Sequence, residues 1–214
     1  MTDFKICGLT TPGTVDAAQA VGSFALGFNF FPPSPRFLPL DRAAALIGRV
    51  RAGVRRVAVL VDPDDALIDA VTSAGIDTLQ LHGREDAARV AAVAARTGLP
   101  VWKAAGVSTR DEIRAAVAAA GPAEWLLLDA KAPRDASLPG GNGLAFDWRL
   151  LSGMTIGRPW GLGGGLSPAN VGAAIGAASG LSGFGFVDVS SGVEEAVGVK
   201  SVSLIEEFAK VVRA

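Results

Sequence analysis

The chain holds one cysteine and one histidine in 214 residues. Cys7 has no second thiol to pair with, so a disulfide-stapled secreted scaffold is excluded. A structural zinc site draws on about four Cys and His ligands, more than this composition offers, and no D-x-D-x-D-G calcium loop occurs. Neither a metal nor another cofactor is expected. A surplus of one charge is also lacking. The 20 basic and 21 acidic residues leave a net charge of −1, without the basic excess that marks partners such as nucleic acid or an anionic membrane. Long hydrophobic runs are missing too. No stretch approaches the roughly 18 apolar residues of a membrane span, and the Ala-rich segment 90–105 is interrupted by Arg96 and Lys103. Met1-Thr2-Asp3 does not begin the charged-then-apolar pattern of a signal peptide. A cytoplasmic protein with a small-molecule partner is expected.

What is present is hydrophobic and regular. Half the residues are hydrophobic and 19% are charged, the balance of a folded globular chain. Short apolar runs recur at 4–7, 24–28, 57–61, 78–81, 101–104, 125–128, 160–163 and 186–189. VAVLV and WLLL are nearly continuous in apolar residues, which predicts parallel strands buried on both faces. Helical patterning fills the intervals 41–50, 64–74, 85–96, 109–119, 169–178 and 201–212. Asp41 is a plausible N-cap, Pro63 suits a first helical turn, and Thr109 with Glu112 has capping-box spacing. Eight strands alternating with helices predict an α/β chain folded as a single (β/α)8 TIM barrel over residues 1–214, with about 27 residues per unit. An open doubly wound sheet is the alternative. It usually needs fewer strands, and its G-x-G-x-x-G fingerprint fails because position 166 is Leu.

In such a barrel the chemistry lies at the C-terminal ends of the strands. Cys7 stands there after strand 1, Arg36 after strand 2, His82 after strand 4, Asp129 after strand 6, and Asp188 at the end of strand 8. WGLGGGLSPANV runs from strand 7 toward a helix. Gly164 and Gly165 let backbone N–H groups approach an anion, and Ser191 and Gly192 supply a second set of donors after strand 8. These two loops are the usual phosphate site of the fold; the bland reading is that their glycines only turn the chain. Alternation along strand 1 puts Lys5 on the face of Cys7, where an ammonium would lower the thiol pKa. Asp129, after four apolar residues, is expected to keep its proton near neutral pH, although a loop carboxylate or an N-cap would read the same way. Arg36, held among prolines in PPSPRF, suits a carboxylate or phosphate clamp. The loop 130–144, with Gly140, Gly141 and Gly143, has the composition of a lid.

Taken in order, KICGLT (5–10), LGFNFFPPSPRF (26–37), VLVD (59–62), LQLHG (79–83), LLLDA (126–130), GGNGLAFDW (140–148), GLGGGLSPANV (161–171) and VDVSSGVEEAVGVKS (187–201) resemble the phosphoribosylanthranilate isomerase family along nearly the whole chain. The resemblance implies the (β/α)8 fold and an Amadori rearrangement in tryptophan biosynthesis, with no metal or redox cofactor. It implies that Cys7 is the general base and Asp129 the general acid. Arg36 would hold the anthranilate carboxylate, and Gly164, Gly165, Ser191 and Gly192 the phosphate, with Asp188 near the substrate; His82 is expected to touch the ligand pocket from its place at a barrel strand end. A monomer or a homodimer is expected. Ser201 departs from the family, which often has Asp there. The rivals are a histidine-pathway isomerase, which uses Asp at the position of Cys7; a flavin or Schiff-base barrel, for which Lys103 would serve; and a non-catalytic barrel that binds a phosphorylated ligand.

Overall fold

A computed structural model describes residues 2–131 and 146–214. Eight strands, β1 (Asp3–Cys7), β2 (Ala25–Asn29), β3 (Arg55–Leu60), β4 (Thr78–Leu81), β5 (Val101–Val107), β6 (Trp125–Ala130), β7 (Trp160–Leu162) and β8 (Phe184–Val189), pair in parallel in sequence order. β8 returns to β1, with Lys5 opposite both Ala25 and Asp188, and the sheet closes into a barrel. The helices are α1 (Pro12–Ala20), α2 (Leu40–Ile47), α3 (Asp65–Ser73), α4 (Ala87–Thr97), α5 (Arg110–Ala119), α6 (Val171–Ala178) and α7 (Val202–Arg213). Between β6 and β7 the described residues carry a short 3-10 turn, Trp148–Leu151. A small antiparallel hairpin, β9 (Glu194–Ala196) and β10 (Val199–Lys200), follows β8.

Alternation along each strand divides the core in two. Ala25, Val57, Trp102, Ala104, Leu127 and Phe186 fill the barrel interior. Leu26, Ala58, Leu79, Leu126, Leu128 and Val187 pack outward against the helices.

The helix starts correct several expectations. α1 was not expected at all, although Thr11-Pro12 is a start signal: Thr11 caps it and accepts from Thr14 N. Pro39, not Asp41, is the N-cap of α2, and Asp41 sits in its first turn. Pro63 precedes the cap of α3, which is Asp64, accepting from Leu67 N at 2.8 Å. α6 begins at Val171, not residue 169. Thr109 does cap α5, but Glu112 reaches one residue further back, accepting from Ser108 N and Oγ at 2.7 and 2.9 Å. Ser201 accepts from Leu204 N and so caps α7, the service an Asp there would also give.

Candidate active site

Strand alternation turns Lys5 and Cys7 of β1, Asp129 of β6 and Asp188 of β8 toward the barrel axis, because each shares its face with an interior core residue. Asp129 lies within β6, not after it. The Lys5 ammonium is fully buried and donates to Asp188 Oδ1 at 2.7 Å. The Cys7 thiol is buried beside Gly27, its register partner on β2. A β-carbon at Gly27 would lie 2.8 Å from the sulfur. Ser190 Oγ donates to the Cys7 carbonyl at 3.1 Å, joining the loop after β8 to the end of β1.

Asp129, Gly164, Gly165, Leu166, Asp188, Ser190 and Ser191 line one pocket open to solvent. Five of the expected residues therefore meet in a single pocket. Gly164 and Gly165 adopt φ of +85° and +61°, conformations that a β-carbon disfavours. A β-carbon at Gly164 would also strike Ala130 N at 2.4 Å, so glycine there lets the loop lie against β6, the strand of Asp129. Asn170 Nδ2 donates to Gly165 O at 2.9 Å and holds the loop. Gly192 backs onto that loop: a β-carbon would fall 1.8 Å from Leu166 O. Residues 132–145, which include most of the expected lid, lie outside the described residues.

Burial governs the protonation of the site. It pushes Asp129 up to about 7, aided by the negative charge of Asp188, while the hydrogen bond from Ala130 N and the Lys5 charge pull the other way. Burial also pushes the Cys7 thiol up and outweighs the downward pull of Lys5. The expectation that Lys5 gives an acidified thiol is thus reversed in direction: the ammonium helps, but desolvation is the larger effect. His82 Nε2 stands 3.5 Å from Asp129 Oδ2. Burial, reinforced by the Lys103 and Lys5 charges, drives His82 down to about 3, so it faces Asp129 as a neutral imidazole.

Two residues sit differently from expectation. Arg36 is buried, and its guanidinium forks onto Glu194, Nε to Oε1 at 2.7 Å and Nη2 to Oε2 at 2.9 Å. Its stem crosses Gly8, where a β-carbon would lie 2.7 Å from Arg36 Cδ, so the clamp candidate is next to the end of β1. Lys103 is the third residue of a seven-residue β5 and not at its end. Trp102 and Ala104 face inward, so Lys103 faces the helices. There it donates to Glu85 Oε2 and Gly83 O, both at 2.8 Å, which removes the amine that a Schiff-base barrel would need. Glu85, expected inside a helix, instead accepts from Asp62 N and Gly83 N and braces the turn that carries His82. Glu194, Lys200, Glu85 and Gly27 were missed in the sequence. The spacing of a charge in a loop says nothing of the strand it will meet.

Residues 4–211 match the family described as PRAI, N-(5'phosphoribosyl)anthranilate (PRA) isomerase. The chain belongs to this family. The PRA isomerase of Paracoccus denitrificans is 52% identical over 205 residues, covering 95% of this chain and 94% of the relative. Among solved structures, the phosphoribosyl anthranilate isomerase of Thermotoga maritima is 32% identical with a TM-score of 0.86, covering 100% of this chain and 99% of its own. A PRA isomerase in complex with reduced 1-(o-carboxyphenylamino)-1-deoxyribulose 5-phosphate is 30% identical with a TM-score of 0.83, over 100% of this chain and 99% of its own. Eight-stranded closure and family membership thus agree with what the PRA isomerase resemblance implied. Among the described residues no helix is long and apolar enough to cross a membrane.

Proposed function

We propose that this chain converts N-(5-phosphoribosyl)anthranilate to 1-(o-carboxyphenylamino)-1-deoxyribulose 5-phosphate, an aldose–ketose isomerisation of tryptophan biosynthesis carried out in the cytoplasm by a monomer or a homodimer. The observation that carries it is a buried carboxyl group near neutral pKa, Asp129, in one pocket with the two glycine and serine loops, across the Lys5–Asp188 pair from a buried thiol.

Asp129 gives its proton to the furanose ring oxygen, which leaves as the C4 hydroxyl as the ring opens to a protonated Schiff base. Cys7, as thiolate, takes the proton from C2, and the electron pair moves into the C1–C2 bond to neutralise the nitrogen. The resulting enolamine becomes the ketone when its C2 hydroxyl loses a proton and C1 gains one. Such chemistry needs one acid and one base protonated in opposite senses at the same pH. Asp188 supports the acid: its charge raises Asp129, while Lys5 lies between Asp188 and the thiol. Backbone donors of Gly164, Gly165, Ser191 and Gly192 hold the phosphate, Arg36 the anthranilate carboxylate, and neutral His82 borders the pocket beside Asp129.

The test is the loss of anthranilate-type fluorescence when the protein meets freshly made phosphoribosylanthranilate. Rapid loss with wild type, and near-abolition in folded Cys7→Ala and Asp129→Asn, are expected. No loss with wild type overturns the reading.

A further inference from the structure

Glu194 opens the small hairpin that follows β8, and its side chain is 4% exposed. Four donor atoms from three residues converge on that one carboxylate. Arg36 forks onto it through Nε and Nη2. Gly198 N, at the hairpin turn, donates to Oε2 at 3.0 Å. The Lys200 ammonium pairs with Oε1, and the same ammonium donates to Ser190 O at 3.1 Å. Ser190 in turn lines the pocket and holds the carbonyl of Cys7. The hairpin docks on Arg36's own loop, with Gly198 at φ +80° and no room for a β-carbon, which would lie 2.6 Å from Pro35 O.

We propose that Glu194 is a positioning residue that sets Arg36 for the substrate carboxylate and Lys200 for the loop at the substrate phosphate. The proposal deepens the isomerase reading above and rests on it. Its grounds are geometric and electrostatic. Two buried cations brought side by side repel unless an anion lies between them. The fork also fixes the plane of the guanidinium, which decides the direction of its N–H donors. The carboxylate is ionised at any neutral pH: burial alone would raise it, but the hydrogen bond from Arg36 and the charge of Lys200 hold it at about 2.

Steady-state kinetics with phosphoribosylanthranilate on wild type, Glu194→Gln, Glu194→Asp and Val197→Thr, an exposed change on the same hairpin, test this. Glu194→Gln keeps the shape and loses the charge, and should raise KM on the order of 10- to 100-fold with kcat within about threefold. Glu194→Asp should recover part of the KM, because the charge returns on a shorter stem. Val197→Thr should behave as wild type. An unchanged KM in Glu194→Gln, or the same rise in Val197→Thr, overturns the proposal. If wild type does not turn over at all, the isomerase reading fails separately, and calorimetric titration with anthranilate decides the positioning role. Weaker binding by Glu194→Gln than by wild type upholds it; equal binding, or none by either, overturns it.

Discussion

Lys5 lies in the barrel among more acidic groups than one ammonium can balance. Asp188 hydrogen bonds to it, and the charges of Cys7 and Asp129 also act on it. A buried site tolerates little uncompensated charge, so protons stay behind on the acids. Burial, the largest single effect on Lys5, acts to lower its pKa, yet Asp188 and Cys7 together hold it above its ordinary value. Asp129 moves up to about 7, and the Cys7 thiol moves up as well. The competent form, carboxyl with thiolate, then has the same proton count as the resting form, carboxylate with thiol. Below about 7 the site holds one proton too many. The expected kcat/KM therefore climbs about tenfold per pH unit up to about 7, levels off, and falls only when the thiol ionises in the presence of carboxylate. A rate profile for wild type between pH 5 and 10 checks this. A decline through 7 would mean that Cys7 is already a thiolate and that burial does not control it.

The pairing of β1 with β2 gives the Cys7 thiol its place. Their register sets Cys7 opposite Gly27, and the missing side chain is the space the thiol occupies. Gly27→Ala would set a methyl group 2.8 Å from the sulfur and 3.1 Å from Cys7 Cα. Because one of these contacts is to backbone, a rotamer change alone does not relieve it. The expected outcome is a folded barrel with kcat lowered about 100-fold, since small misplacements of a reacting group cost that much. Gly13→Ala, in α1 with open space around it, is the control and should keep full activity. Far-UV circular dichroism with kcat on both variants checks the pair. Elements of this kind were partly legible in the sequence. The apolar run at 4–7 placed β1 within a residue, but which residue of β2 would face Cys7 depends on a register that neither run encodes alone.

At the scale of the molecule, the two ends of the barrel do different work. Around the N-terminal ends, Phe24, Trp102, Trp125 and Phe186 stack and tilt against one another with centroids 5.2 to 5.9 Å apart. Arg55 lies over Trp102, whose Nε1 donates to Glu124 at 2.9 Å. This aromatic plug closes the floor while the polar groups gather at the opposite mouth, the division expected of the fold. Trp102→Ala should cost about 3–5 kcal/mol of stability, a fall of roughly 10 °C or more in Tm for a chain of this size. At 20 °C kcat should stay near that of wild type. Calorimetric melting alongside the fluorescence assay checks both, and a large loss of kcat in the folded variant would show that the floor shapes the mouth.

By itself the sequence determined the rhythm of eight strands and the residue types at their ends. Apolar runs, caps and glycines act locally, over a few neighbours, and Cys7, Asp129 and the glycine loops could be placed from them. Only the tertiary structure decided which way Lys103 points, because a strand's face has no meaning until another strand and a helix cover it. It decided too that Cys7 is raised and not lowered, since desolvation depends on everything that surrounds the sulfur, while sequence shows only the nearby lysine. Glu194 meets Arg36 from 158 residues away, a contact made by barrel closure and not by any local pattern.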